Sequence, residues 1–130
     1  MHLPSLPIKT HGPKSHQLPF VTAKDALGRF EGQIDEREAP FPADHVKLVA
    51  DRPAPAVRGS QPPVHYSENR RLTVNELAAL QSFPADFFVA GTLTEQRKQI
   101  GNAVPVELAT AVARSIRASL LYWYAEEEED

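Results

Sequence analysis

The chain has 130 residues, 12 prolines, no cysteine and a formal net charge of −3. This length accommodates about one small domain, the proline content favours long irregular stretches, and the lack of cysteine excludes disulfides, thiolate metal sites and a cysteine nucleophile within these residues. The negative charge comes from the C-terminal block AEEEED, because without its five acidic residues 14 basic side chains face 12 acidic ones.

Residues 1–69 are rich in proline, histidine and short polar clusters and show no sustained helical period. The segment FVTAKDAL predicts a short helix capped by Thr22, with Asp25 three residues later. HVKLVAD predicts a short strand, and PAPAVRGSQPP an extended piece that ends in a Gly-Ser turn. Four histidines lack metal-site spacing, and we expect them in surface loops or hydrogen-bonding roles: His11, His16, His45 and His65.

The segment NRRLTVNELAALQSFP predicts the clearest helix of the chain. Thr73 and Glu76 have the spacing of a capping box, in which each side chain bonds the backbone N–H of the other. Leu72 and Leu77 can close a hydrophobic staple around this cap. The proline that follows is expected to end the helix near Phe83.

An aromatic-rich connection, SFPADFFVAG, comes next, and we expect it to bury Phe83, Phe87 and Phe88. Thr94 is predicted to open a further helix through TEQRKQI. This helix is expected to stop at Gly101, where glycine permits a tight turn.

Pro105 suits the first turn of a last helix, where its missing N–H costs nothing. This helix is predicted to reach about Tyr122, and we expect the aromatic residues 122–124 to pack it against its neighbours or to form an exposed interface. The acidic tail that follows is typical of a solvated chain end. One apolar stripe runs along the helix and comprises Val106, Ala109, Val112, Ala113, Ile116 and Leu120.

Two of these segments carry a family resemblance. RRLTVNELAALQSFP, followed by QIGNAVPVELATAVARSI, resembles motifs IX and X of the cytosine-5 DNA methyltransferases, which read approximately R-x-L-T-x-R-E-x-A-R-L-Q-x-F-P and G-N-[SA]-V-P. A weaker likeness to the family's target-recognition segment extends through THGP, VTAKDAL and RPAPAVRGS. The positions that match the two motifs are Arg70, Leu72, Thr73, Glu76, Ala78, Leu80, Gln81, Phe83 and Pro84, then Gly101, Asn102, Ala103, Val104 and Pro105.

The sequence departs from the family pattern at several polar positions. Asn75 and Ala79 stand where motif IX has arginines, and Ala56 stands where a threonine often follows Pro-x-Pro. Arg97 replaces an aromatic residue that is usual just before motif X. These differences reduce the polar contact with DNA that the resemblance would otherwise imply.

The resemblance also implies chemistry that this chain cannot complete. In the family a cysteine attacks carbon 6 of a flipped-out cytosine, because carbon 5 is a poor nucleophile until this addition, and carbon 5 then takes the methyl group of S-adenosylmethionine. The cysteine, the Gly-rich cofactor loop and the Glu-Asn-Val stretch are absent from these residues. The resemblance therefore implies a C-terminal piece of such an enzyme, either a fragment or the smaller partner of a split one, that is inactive alone.

For the cofactor, the resemblance implies that Asn102, Ala103 and Val104 lie near the methionine end of S-adenosylmethionine. Free N–H groups at the start of the helix after Pro105 are expected to attract its carboxylate. The structural alternative is a plain turn between two helices that binds no ligand.

Weak DNA contacts are assigned to Arg58, Arg70 and Arg71, because phosphate contacts supply much of the energy of DNA binding. A solvated surface pair is the alternative for Arg70 and Arg71. No catalytic residue and no metal ligand is assigned. Structural roles are assigned to Leu72, Thr73, Glu76, Gly101 and Pro105.

The implied whole enzyme has an α/β, Rossmann-like, S-adenosylmethionine-dependent methyltransferase fold, of which this chain supplies mostly α-helices and irregular segments with short strands. We divide the chain into a target-recognition-like segment (1–69), a helical part (70–124) and an acidic tail (125–130). The expected partners are DNA and the catalytic part of the enzyme, with no membrane and no metal, at an intracellular, DNA-associated location (nucleus, or bacterial nucleoid and cytoplasm). The competing interpretation is a non-catalytic DNA- or protein-binding module or a regulatory relic.

Overall fold

A computed structural model describes residues 7, 10–12, 17–30 and 45–128 of the chain. It contains α1 (Ala23–Leu27), which continues into a short 3₁₀ helix (Gly28–Phe30), then α2 (Val74–Leu80), α3 (Leu93–Asn102) and α4 (Val106–Glu128). The predicted histidine at position 16 and the two end residues of the acidic tail, 129–130, lie outside the described residues.

Capping boxes open the first three helices. The predicted pairs Thr22–Asp25 and Thr73–Glu76 are confirmed, with the Thr73 backbone N–H 2.8 Å from Glu76 Oε2. A third capping box was not predicted. The start expected for α3 at Thr94 is wrong, because Thr92 is its N-cap and Glu95 is the acidic partner of that cap. Thr94 cannot close such a pair, because the residue three positions later is Arg97, which has no acceptor for a backbone N–H.

Backbone pairing outside the helices is limited to isolated bridges in the described part of the chain. Val64 takes part in two of these bridges, a parallel one with Lys47 and an antiparallel one with Arg71. The Leu48 N–H donates to Val64 O at 2.9 Å, and the Leu72 N–H donates to Pro63 O at 2.9 Å. The short strand predicted for HVKLVAD is therefore only a bridge. Through Val64 this bridge brings the segment close to the residues that precede α2.

A small core joins the segments on both sides of the predicted boundary at residue 70. Its residues come from α1, the bridged segment, α2 and α3, and the predicted staple residues Leu72 and Leu77 are both fully buried within it. The two predicted segments thus share one hydrophobic core. The buried members are Ala23, Leu27, Leu48, Leu72, Leu77, Ala78, Val89 and Ile100.

α2 ends three residues earlier than predicted. Ser82 has a positive φ of 55°, which breaks the helical path before Pro84 is reached. The burial expected for two of the aromatic residues is also wrong, because Phe88 is 83% exposed and Phe87 is 46% exposed. Phe83 alone packs partly against the core.

α4 is longer than predicted, with 23 residues or about 35 Å. Its predicted apolar stripe exists, but within the described residues it remains exposed: Val112 is 40% exposed and Ile116 and Leu120 are each 49% exposed. Tyr122, Trp123 and Tyr124 are exposed as well. Among the described residues, the helices lack the combination of length and hydropathy that a membrane span requires.

Candidate functional site

The Gly-Asn-Ala-Val-Pro segment, residues 101–105, connects α3 to α4. α3 ends at Asn102, and Ala103 follows in an extended conformation, its N–H donating to Ile100 O at 3.2 Å. The Asn102 side chain is exposed and has no hydrogen-bond partner among the described residues, and Val104 is 60% exposed. The 101–105 turn therefore offers a side-chain amide and an apolar side chain to its surroundings.

Gln81 and Ser82, which follow α2, hold the two ends of this turn. The buried Gln81 amide donates from Nε2 to Ile100 O at 3.1 Å and to Ala103 O at 3.2 Å. On the other side of the turn, Gln81 O accepts from Val106 N–H and Ser82 Oγ accepts from Glu107 N–H, both at 3.0 Å. Gln81 matches motif IX, but the motif pattern alone indicated no role for it.

These contacts correct one expectation about the start of α4. The first two N–H groups of that helix, on Val106 and Glu107, already have acceptors within the chain. They are therefore not free to bind a carboxylate. What the turn can still present to a ligand is the Asn102 amide and the surfaces of Ala103 and Val104.

Gly101 lies inside α3, so the reason predicted for it, a tight turn, is wrong. The backbone of Gly59 crosses it so closely that a Cβ added at residue 101 would lie 2.2 Å from Gly59 N and 2.7 Å from Gly59 Cα. A Cβ at residue 59 would in turn lie 2.6 Å from Arg97 O. Both positions need glycine because two backbones touch there, a long-range contact that sequence spacing cannot reveal.

This crossing brings one predicted DNA-contact residue to the turn. Arg58 is exposed and lines an open cleft together with Ser60, Lys98 and Asn102. The structure therefore places the predicted cofactor residue Asn102 and the predicted phosphate contact Arg58 on the same face of the molecule.

Arg70 has a different environment from the one predicted. Its guanidinium binds Glu76 through two hydrogen bonds, Nη1 to Oε2 at 2.7 Å and Nη2 to Oε1 at 2.8 Å, and its Nε pairs with Glu68. Arg70 is thereby committed to an internal ion pair. Of the three predicted phosphate contacts, Arg58 and Arg71 remain candidates. Arg71 is half-buried, and its Nε lacks a hydrogen bond within the described residues.

Glu76 is the buried centre of this cluster. Burial by itself would raise the pKa of Glu76, but hydrogen bonds from Arg70 and from the Thr73 backbone hold the pKa below its ordinary value. The same ion pair raises the pKa of Arg70. The mutual capping predicted for Thr73 and Glu76 is confirmed, and the carboxylate carries an ion pair in addition.

His65 completes the cluster. Of the two alternatives expected for it, the surface loop is wrong and the hydrogen-bonding role is confirmed. It is 2% exposed, and its Nε2 lies 3.9 Å from Glu76 Oε1. Its Nδ1 accepts from the Ser67 and Glu68 backbone N–H groups at 3.3 Å each. Within the described residues no group of acidic or histidine side chains has metal-binding geometry.

A second groove runs beside the turn, between α1, residues 53–57 and the start of α4. Ala56 and Ala79, two of the positions where the sequence lacks the polar residue of the family pattern, both line this groove. The two alanines thus lie on the same surface, although they are 23 residues apart in the chain.

Comparison with known proteins agrees with the motifs. The profile of the C-5 cytosine-specific DNA methylase family matches residues 18–118. The chain belongs to this family.

Individual relatives are type II methyltransferases. M1.HphI of Haemophilus parahaemolyticus is 43% identical over 93 residues, which cover 68% of this chain and 25% of that protein. M.HgiDI of Herpetosiphon aurantiacus is 39% identical over 82 residues, covering 54% of this chain and 26% of that protein. M.AquIB of Picosynechococcus sp. is 34% identical over 134 aligned positions, covering 93% of this chain and 96% of that protein. The chain thus spans about a quarter of two relatives and nearly all of the third.

Proposed function

We propose that this chain is the motif IX and X part of a DNA (cytosine-5-)-methyltransferase, and that the nucleophilic cysteine and most of the cofactor site lie outside these 130 residues. Family membership and the ordered pair of motifs support this proposal. The match along nearly the full length of M.AquIB supports the variant in which a short polypeptide of this kind works beside a second one. The observation that carries the proposal is the 101–105 turn, held by motif IX with its Asn102 amide facing outward.

S-adenosylmethionine supplies the methyl group in this chemistry when it is bound. The residues present suit one wall of its site: Asn102 can donate to and accept from the polar methionine end, and Ala103 and Val104 can exclude water beside it. Because the chain holds no thiol, activation of the cytosine ring belongs to the catalytic part. Alone, the chain is inactive.

The apolar face of α4 is proposed to pack against that catalytic part, in a Rossmann-like α/β arrangement. Val112, Ile116, Leu120 and Trp123 follow one another at helical spacing and are all exposed. A contiguous apolar face of this length is typical of an interaction surface rather than of a solvated helix.

Arg58 and Arg71 are proposed to contact DNA phosphate, because each is a cation with no acidic partner among the described residues. Such contacts position the protein on DNA without reading its sequence.

Reconstitution tests the proposal directly. The chain is mixed with the polypeptide that carries a Pro-Cys motif and a Gly-rich cofactor loop, sought first in the neighbouring genomic sequence, and transfer of a labelled methyl group to cytosine in DNA is measured. We expect transfer only when both parts are present. Activity of the second polypeptide that is unchanged by this chain would refute the proposal.

Asn102→Ala tests the turn in that assembly. We expect the Kd for S-adenosylmethionine to rise about tenfold, as for loss of one hydrogen bond to a charged group. Asn75→Ala is the matched control, since Asn75 is an exposed asparagine on α2. Equal cofactor affinity of the two variants would show that the turn does not contact the cofactor.

A non-catalytic DNA- or protein-binding module is the second candidate. The alanines that line the groove, Ala56 and Ala79, favour it because they remove polar groups expected near DNA. This candidate predicts salt-dependent DNA binding by a chain that has no effect on methyl transfer.

A further inference from the structure

The buried side chain of Gln81, next to the 101–105 turn, is a polar group that the proposed function does not explain. Gln81 is 6% exposed, yet its amide group faces the end of α3 rather than the apolar core. Burying an amide is costly unless its hydrogen bonds are made within the protein. Here they are made to the carbonyls of Ile100 and Ala103, where α3 ends.

The backbone of the same residue holds the far side of the turn. Gln81 O accepts from Val106 N–H at 3.0 Å, and Ser82, held at a positive φ of 55°, directs its hydroxyl to Glu107 N–H and to Gln81 O. These hydrogen bonds fix residues 100 and 103 on one side of the turn and residues 106 and 107 on the other. We call them the brackets, because they enclose the short stretch that carries Asn102 and Val104. Few backbone conformations of that stretch satisfy all of them together.

We propose that Gln81 is the positioning residue of the 101–105 turn, with Ser82 as its second support: it keeps Asn102 and Val104 in the conformation that receives S-adenosylmethionine. This inference rests on the proposed function. Gln81 itself touches no substrate or cofactor, and it acts only by fixing the turn from the end of α2. The end of α2 and the 101–105 turn are thereby held in one fixed arrangement.

The test uses the reconstituted assembly and the variant Gln81→Met, which keeps the length of the side chain and removes both donors. Without the brackets the turn samples other conformations, and the apparent affinity falls with the fraction that remains competent. We expect the Kd and KM for S-adenosylmethionine to rise about tenfold. At saturating cofactor, kcat and the KM for DNA should stay within about twofold of wild type.

The matched control is Gln99→Met. The exposed Gln99 amide also donates to a backbone carbonyl, Ala90 O at 2.9 Å, close to the turn in sequence but without holding it. This variant loses a comparable hydrogen bond and should leave the KM for the cofactor unchanged. A merely structural role of Gln81 would instead lower the active fraction and hence kcat, with no selective effect on the cofactor KM.

A second variant keeps the inference testable if Gln81→Met does not fold. Ser82→Gly suits the positive φ and removes the hydroxyl, which accepts from Glu107 N–H and donates to Gln81 O. We expect a rise of about threefold in the KM for the cofactor, with faster amide exchange at Glu107. Wild-type values for both Gln81→Met and Ser82→Gly, in an assembly that is active, would overturn this inference alone. A wild-type assembly that binds no S-adenosylmethionine would overturn the proposed function and this inference with it.

Discussion

Replacing Gly101 by alanine is the sharpest test of the described packing, because sequence and structure predict opposite signs. Gly101 is the second-last residue of α3, and in a helix alanine is more favourable than glycine by up to about 1 kcal/mol. The structure, however, places the new Cβ 2.2 Å from Gly59 N and 2.7 Å from Gly59 Cα. Both are backbone atoms, which cannot rotate out of the way.

The size of the effect follows from that overlap. Overpacking usually costs about 1–3 kcal/mol, and an overlap of more than 1 Å on backbone belongs at or above the upper end. After the helical gain is subtracted, Gly101→Ala should lose about 2 kcal/mol of unfolding free energy, or roughly 8 °C in melting temperature. The reciprocal Gly59→Ala should act in the same direction, since its Cβ would meet Arg97 O at 2.6 Å.

Urea or thermal unfolding followed by far-UV circular dichroism measures the change. Gly28→Ala is the matched control: Gly28 has ordinary right-handed helical angles, and its Cβ would meet nothing within 4 Å. It should be neutral or stabilising by up to about 1 kcal/mol. If Gly101→Ala melts at or above the wild-type temperature, the backbone crossing is not as described.

Two further predictions concern the buried carboxylate and α4. The folded state holds the pKa of Glu76 below its unfolded value of 4.5, so the stabilisation is present above that pH and is lost as the pH falls through the folded pKa. The free energy of unfolding should therefore decline on acidification more steeply in wild type than in Glu76→Gln. Equal slopes for the two proteins would contradict the ion pair. Ile116→Lys should prevent assembly with the catalytic part, measured by co-elution on gel filtration, because a charge would enter an apolar interface. Ala118→Lys, on the opposite side of the helix, should assemble normally.

The parts of the fold that could be predicted are those whose causes are local. The capping pairs at Thr22 and Thr73 depend on contacts three residues apart, and the same rule applied at Thr92 would have located the start of α3. The burial of Phe87 and Phe88 could not be judged, because an aromatic side chain is buried only where a partner surface exists.

The sequence indicated which turn to consider as a candidate site, but not the contacts that hold this turn. The motif pattern indicated Asn102 to Val104, yet it could not show that Gln81 brackets them, since that contact joins residues about 20 positions apart. Arg70 was misplaced for a related reason: the spacing of Arg70 and Glu76 does not reveal that both are drawn into the interior. Charge on a sequence says nothing about which cations are already neutralised.

The contact between Gly59 and Gly101 has a consequence for dividing proteins of this family into two polypeptides. If the chain were divided between residues 59 and 101, the two backbones that touch would belong to different polypeptides. The contact between Gly59 and Gly101 would then form only when the two polypeptides associate. A cut before residue 59 leaves that contact, the Glu76 ion pair and the Gln81 brackets on one piece. Engineered divisions of longer relatives should therefore be tolerated upstream of this crossing and should fail within it.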